Sequence, residues 1–285
     1  MFYMKRLACI LYVAFLANIA SGQNCFRFTY LQQQKRSVDE ASFHGSEMKL
    51  DFDGKSSFFY NEVSFMKDSL DVLAFDKNGN VADQEAYSQR SRLPGTAIND
   101  KSWIDFSGGS YTLYYFDMIA FYGTMPMELP QWNLTDEQDE QSGYQCKKAQ
   151  GVFLGREWTV WYTEEIPVNI GPWLLWGTPG LIVYAEDSEN IVNFRLLGIE
   201  RIGHGRLEED SSYRKARESK STSKVYTLPM KEMEVMHSRY RRDMDYFAKV
   251  NGIVSHYSQK RDGSRNYERT KPYIPLIPDA YWQKK

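Results

Sequence analysis

The sequence predicts a mainly β protein: a curved antiparallel meander sheet, half-barrel-like, with a C-terminal helical extension. Three observations lead there. Aromatic residues make up 15% of the chain, with 20 Tyr, 16 Phe and 7 Trp, and such rings favour the half-buried pleated surface of a sheet. Segments such as Phe26-Arg27-Phe28-Thr29-Tyr30 alternate ring and polar residue, the period of a strand with one buried face. No helix-length apolar period intervenes between the hairpin strands, so antiparallel pairing is expected instead of βαβ units. With 285 residues, 42% hydrophobic and 25% charged, the composition is that of an ordinary globular chain and excludes wholesale disorder. A net charge of -2 argues against nucleic-acid binding through a general phosphate-neutralising surface.

The first element is an address. Lys5 and Arg6 precede the apolar stretch Leu7 to Ala20, and small residues close it at Ala20-Ser21-Gly22. This is the pattern of a secretory signal peptide over residues 1–22, cleaved near Gly22-Gln23, and its apolar core is short for a membrane span. Removing Lys5 and Arg6 takes the net charge from -2 to -4. The mature chain is expected to be exported, with no transmembrane segment. Three cysteines exclude a disulfide-dense scaffold and a four-thiolate zinc site. Cys9 leaves with the leader, and Cys25 and Cys146 are expected to pair in an oxidising compartment. Closing that loop stabilises by about 4 kcal/mol in the chain-entropy model; the competing reading is two separate buried thiols.

The β domain is expected over residues 23–206. Met48-Lys49-Leu50-Asp51-Phe52 alternates, and Asp53-Gly54-Lys55-Ser56 turns it into Phe58-Phe59-Tyr60. The polar stretch Gln84 to Gly109 reads either as a long connection or as a helix-containing insertion. Tyr111 to Tyr122 is a ring-rich strand region, whereas Pro126, Pro130 and an acidic cluster are expected to interrupt regular structure between Gly123 and Gln141. Two hairpins follow: Tyr144 to Leu154 with Arg156 to Tyr162, and Leu181 to Ala185 with Ile191 to Leu196 around a polar turn. Residues 207–228 are charged and Ser-rich, a linker. In residues 229–285, Pro229 opens a helix whose apolar face is Met230, Met233, Met236, Tyr240, Met244, Phe247 and Val250, and a proline-rich extended tail ends the chain.

Catalytic signatures are sparse. The four histidines, His44, His204, His237 and His256, show no zinc spacing, and Gly-x-Ser-x-Gly, Walker and dinucleotide fingerprints are absent. A dispersed serine-hydrolase triad has no local signature to support it. Met230, Met233, Met236 and His237 lie on neighbouring helical turns and offer soft ligands for Cu(I), the one cofactor the residue pattern suggests. The competing reading is core packing, the usual use of methionine. A hydrophobic ligand inside the curved sheet is a further alternative.

The stretch Gly143 to Arg201 carries a family resemblance. Gly143-Tyr144-Gln145-Cys146-Lys147-Lys148-Ala149 and Gly155-Arg156-Glu157-Trp158-Thr159-Val160-Trp161-Tyr162 are followed by Ile166-Pro167, Gly171-Pro172-Trp173 and Gly177-Thr178-Pro179-Gly180-Leu181-Ile182. Together these resemble the paired strands and name-giving motif of the GLPGLI family, with Thr178 in place of the usual leucine. The resemblance implies export in a Gram-negative Bacteroides-group cell and a periplasmic, cell-envelope location; it implies no activity. Gly171, Pro172, Trp173, Trp176, Gly177, Pro179 and Gly180 form a shaped loop between two hairpins. Either it presents Trp173 and Trp176 to a periplasmic or outer-membrane protein partner, or it folds over one open end of the curved sheet and caps the core. The expected function is a non-catalytic envelope binding or assembly protein.

Overall fold

The structure, a computed structural model, describes residues 25–76, 80–116, 120–203, 205, 225–243 and 274–283. The signal-peptide segment, residues 207–224 of the expected linker, and Met244, Phe247 and Val250 lie outside the described residues.

Two antiparallel meanders make one sheet. The first runs through β1 (Cys25–Gln34), β2 (His44–Phe52), β3 (Ser56–Tyr60), β4 (Lys101–Asp105), β5 (Ser110–Phe116) and β6 (Ala120–Pro126). The second comprises β7 (Asn133–Gln141), β8 (Tyr144–Phe153), β9 (Arg156–Thr163), β10 (Leu181–Asp187) and β11 (Val192–Ile202). Antiparallel pairing of β1 with β11 joins them, and β12 (Val225–Pro229) adds in parallel to β6. The sheet order is β12-β6-β5-β4-β3-β2-β1-β11-β10-β9-β8-β7, twelve strands that do not close into a barrel. The expected antiparallel meander is therefore present, and β12 makes the sheet mixed.

Curvature follows from chain length. β6 and β7 are ten strand positions apart, about 48 Å in a flat sheet. Only residues 127–132 connect them, a stretch that reaches about 25 Å fully extended. The sheet must curl until its two halves face each other. Ring-rich inner faces then pack into one core that includes Phe28, Tyr30, Leu50, Phe59, Tyr111, Trp158, Val160, Ile182 and Phe194. Period-2 alternation drives this: Phe26, Phe28 and Tyr30 face the core, and Cys25 packs with Phe58, Tyr60 and Phe65 on the opposite side.

That alternation overturns the expected Cys25–Cys146 disulfide. Both thiols are free and buried. Cys146 belongs to the inner core, Cys25 to the outer cluster, and three strands separate β1 from β8. Disulfide geometry requires Cα atoms within about 7 Å, and no such approach exists across two faces of a sheet.

One helix packs on the outer face, and a second packs on the first. α1 (Glu62–Ala74) starts at Asn61, whose side chain accepts a hydrogen bond from the Ser64 N–H at 2.9 Å. α2 (Gln84–Arg92) starts at Asp83, which accepts from the Glu85 and Ala86 N–H groups; it resolves the 84–109 stretch as a helix-containing insertion. Between Gly123 and Gln141 the expectation of interrupted structure fails: β6 continues to Pro126, and the acidic cluster itself is strand β7. The linker expectation also fails at its end, where Val225-Tyr226-Thr227-Leu228 has the β-branched and aromatic character of a strand.

α3 (Met230–Arg242) follows β12 directly, with Pro229 as its N-cap, and packs on β5, β6 and β12. The C-terminal segment ends in α4 (Asp279–Gln283) and is no mere tail, since Leu276, Ile277 and Trp282 are buried in the main core.

Candidate functional site

The motif loop lies inside the molecule. Trp173 and Trp176 are only 3% and 8% exposed, with Leu174 and Leu175 fully buried between them. The rings are thus not presented at the surface; the loop caps the core. Trp176 Nε1 donates to the Tyr111 hydroxyl at 2.5 Å, and Tyr111 in turn donates to the Glu128 carbonyl at 2.7 Å. Trp132 Nε1 donates to the Trp176 carbonyl at 2.8 Å, and Trp173 packs on Trp158 with ring centroids 6.0 Å apart. One loop thereby ties β5, β9 and the β6–β7 connection together.

Glycine and proline make this path. Gly177 adopts φ of 87°, and a Cβ on Gly180 would sit 1.9 Å from the Thr163 carbonyl oxygen. Gly171 packs against Ile182 in the same way, while Pro172 and Pro179 fix φ on either side of the tryptophans. Trp173 itself takes φ of 56°, a left-handed conformation that costs energy in a residue with a Cβ and is held by its buried ring. Thr178 is buried, and its hydroxyl donates to the Gly180 carbonyl at 2.7 Å.

A second cluster lies where α3 meets the sheet. Met230 and Met233 are buried and pack over the bare backbone of Gly123, where a Cβ would lie 2.5 Å from Met233 Cε. Met236 is half-buried against the same core. His237 stacks on Tyr115 with centroids 4.0 Å apart and planes 8° from parallel. Packing accounts for the methionine stripe, and the apolar setting pushes the His237 imidazole well below its usual range, so it stays neutral.

Beside it, the Tyr115 hydroxyl donates to Glu234 Oε1 at 2.8 Å. Burial pushes the Glu234 carboxyl up to about 8, with Asp100 and Asp279 adding repulsion, so at neutral pH it is an acid. Asp100 is likewise pushed up by burial, to about 6. Glu234 is 2% exposed, so this carboxyl is sealed from solvent. Burial also raises the two thiols, Cys25 to about 12 and Cys146 to about 11, which keeps both protonated.

The sheet's two ends differ. α3 packs against the β12 end. β7 pairs with β8 alone among the described strands, and seven of its nine residues are exposed. It carries Asp136, Glu137, Asp139 and Glu140, of which Glu137 is paired with Lys148 across the strands at 3.0 Å. Sequence reasoning missed this edge because it took the prolines and the acidic run as breakers. Neither Glu234 nor Tyr115 was singled out either. The available signal was position: Glu234 sits one residue from the apolar stripe, on the helix's inward side.

Comparisons with known proteins add little. No model of a known protein family matches the chain, and no curated protein matches it. Among solved structures it is similar to PNGF-II in two crystal forms, C2 and P21. The TM-scores are 0.48 and 0.47, with 14% and 13% identity over 76% of this chain. The chain spans about a third of the length of those structures, 33% and 34%.

Proposed function

We propose that this chain is an exported, periplasmic protein of the GLPGLI family, and that it is a non-catalytic binding or assembly factor for a periplasmic or outer-membrane protein. The observation that carries the reading is the β7 edge: nine residues long, exposed, acidic, and open on one side among the described strands. An unpaired edge offers a row of main-chain donors and acceptors to an incoming strand. Its carboxylates repel a second copy of itself and complement a basic extended segment. The family reading rests on the ordered motif from Gly143 to Ile182 and on the secretory pattern of residues 1–22.

The test is the native mass of the protein isolated from its own envelope. The expected result is a complex larger than the chain by the mass of a protein. A variant carrying Asp136→Lys, Asp139→Lys and Glu140→Lys should lose that partner with its melting temperature unchanged. An excess matching a lipid or a metal ion would contradict the reading in favour of a carrier.

A further inference from the structure

The C-terminal segment is held in an unusual way. Three consecutive carbonyls each accept a hydrogen bond from a side chain of the sheet. Gln34 Nε2 donates to the Ile274 carbonyl at 3.0 Å, Arg156 Nη2 to that of Pro275 at 3.0 Å, and Arg156 Nε to that of Leu276 at 2.9 Å. Both donors are themselves fixed. Gln32 Nε2 donates to Gln34 Oε1 at 3.1 Å. Arg156 Nη1 donates to Asp187 Oδ2 at 2.5 Å and to Glu189 Oε2 at 3.1 Å. Asp187 Oδ1 accepts from the Ile191 and Val192 N–H groups. Arg156 and Asp187 are 4% exposed each, so this fork is pre-organised and dry.

Leu276, Ile277 and Trp282 fill apolar positions of the core, and the Tyr281 hydroxyl donates to Glu128 Oε1 at 2.9 Å. The segment has proline at 272, 275 and 278, a three-residue period that pre-orders an extended chain and lowers the entropy of binding it. Main-chain carbonyls read by side chains, with the adjacent Leu276 and Ile277 both buried, make the interaction of a peptide with a peptide-binding slot. None of these contacts depends on the segment belonging to the same chain.

We infer that the slot built on Arg156, Gln34 and Asp187 is an exchangeable peptide site, and that the C-terminal segment of a second copy occupies it in trans. The product is a dimer in which each copy inserts residues 274–283 into the other. Residues 243–273 supply the length: thirty-one residues separate α3 from the strap, a contour of up to about 100 Å. Exchange reproduces the same contacts, so the balance between the forms follows concentration and not contact energy. The inference is independent of the β7 reading, because it concerns residues of β1, β9 and β10 and a different ligand.

Complementation of the full chain tests it. One variant carries Leu276→Asp and Ile277→Asp, which spoils the strap; the other carries Arg156→Met, which spoils the slot. Alone, each should melt several degrees below the parent. Mixed in equal amounts, they should form a heterodimer in native mass spectrometry and recover part of the lost melting temperature. If the mixture shows only two monomers with two unrecovered transitions, the segment is a fixed core element and the inference is wrong. Should either variant be insoluble, the unaltered chain is incubated with excess synthetic peptide of residues 272–285. A chain–peptide complex supports exchange, and the bare chain alone overturns it.

Discussion

Glu234 is a carboxyl whose chemistry the fold alters strongly, and its pH dependence has a definite sign. In the unfolded chain it ionises near its ordinary value of 4.5, whereas in the fold it holds its proton to about 8. The unfolded state therefore binds fewer protons across that interval, and stability falls as pH rises through it, levelling above about 8. Asp100 acts in the same sense up to about 6. His237 acts oppositely, lowering stability as pH falls below its ordinary 6.5. Between 6.5 and 8 Glu234 acts alone among these three groups, at about 1.4 kcal/mol per pH unit. Urea unfolding should show the parent losing about 2 kcal/mol more than Glu234→Gln over that window. Equal slopes would mean that the carboxyl is already ionised.

Gly180 makes a second residue-level prediction. A methyl group there meets a main-chain oxygen, not a side chain that can swing away, so Gly180→Ala should destabilise by more than the ~1 kcal/mol typical of a point substitution. Thermal melting checks it, and an unchanged melting temperature would show that the loop relaxes freely.

Among the elements, the motif loop and the hairpins around it were readable because local chemistry dictates them: Gly155 in the β8–β9 turn, the β-branched and aromatic residues of β9, the apolar run of β10, and a Gly-Pro path between. The Gly-Pro path is that of a core cap, and the structure buries its rings accordingly. Replacing Trp173 and Trp176 by Ser should therefore cost about 3–5 kcal/mol for each large buried ring. The expected readout is lost solubility or a large fall in melting temperature; a normally folded double variant would return the rings to a surface role. β7 was not readable for the opposite reason. An edge strand needs no apolar face, so its charges mimic a loop. α1 was missed because its buried Phe65 and Asp68 give a weak period, and Asp68 instead pairs with the buried Lys101 at 2.7 Å.

For the molecule as a whole, sheet content and curvature were implied by composition and alternation, but not the strand order. That order depends on β11 pairing with β1, nearly the length of the domain away in sequence, and on the short 127–132 connection that draws the far edges together. The cysteines show the cost of reasoning from compartment alone: an oxidising destination favours a bond, yet strand parity sends Cys25 and Cys146 to opposite faces. The parity was present in the alternation of β1 itself. What the sheet leaves over, after curling and filling its interior with rings, is the acidic edge at β7.

Site-specific photo-cross-linking in the native envelope tests this directly. A photoreactive residue at Glu140, on β7, is compared with one at Leu197, which is 54% exposed elsewhere on the sheet. The expected result is a discrete protein adduct at Glu140, absent at Leu197 and abolished by Asp136→Lys with Asp139→Lys. No adduct at Glu140, or the same adduct at both positions, would contradict the edge as the binding surface.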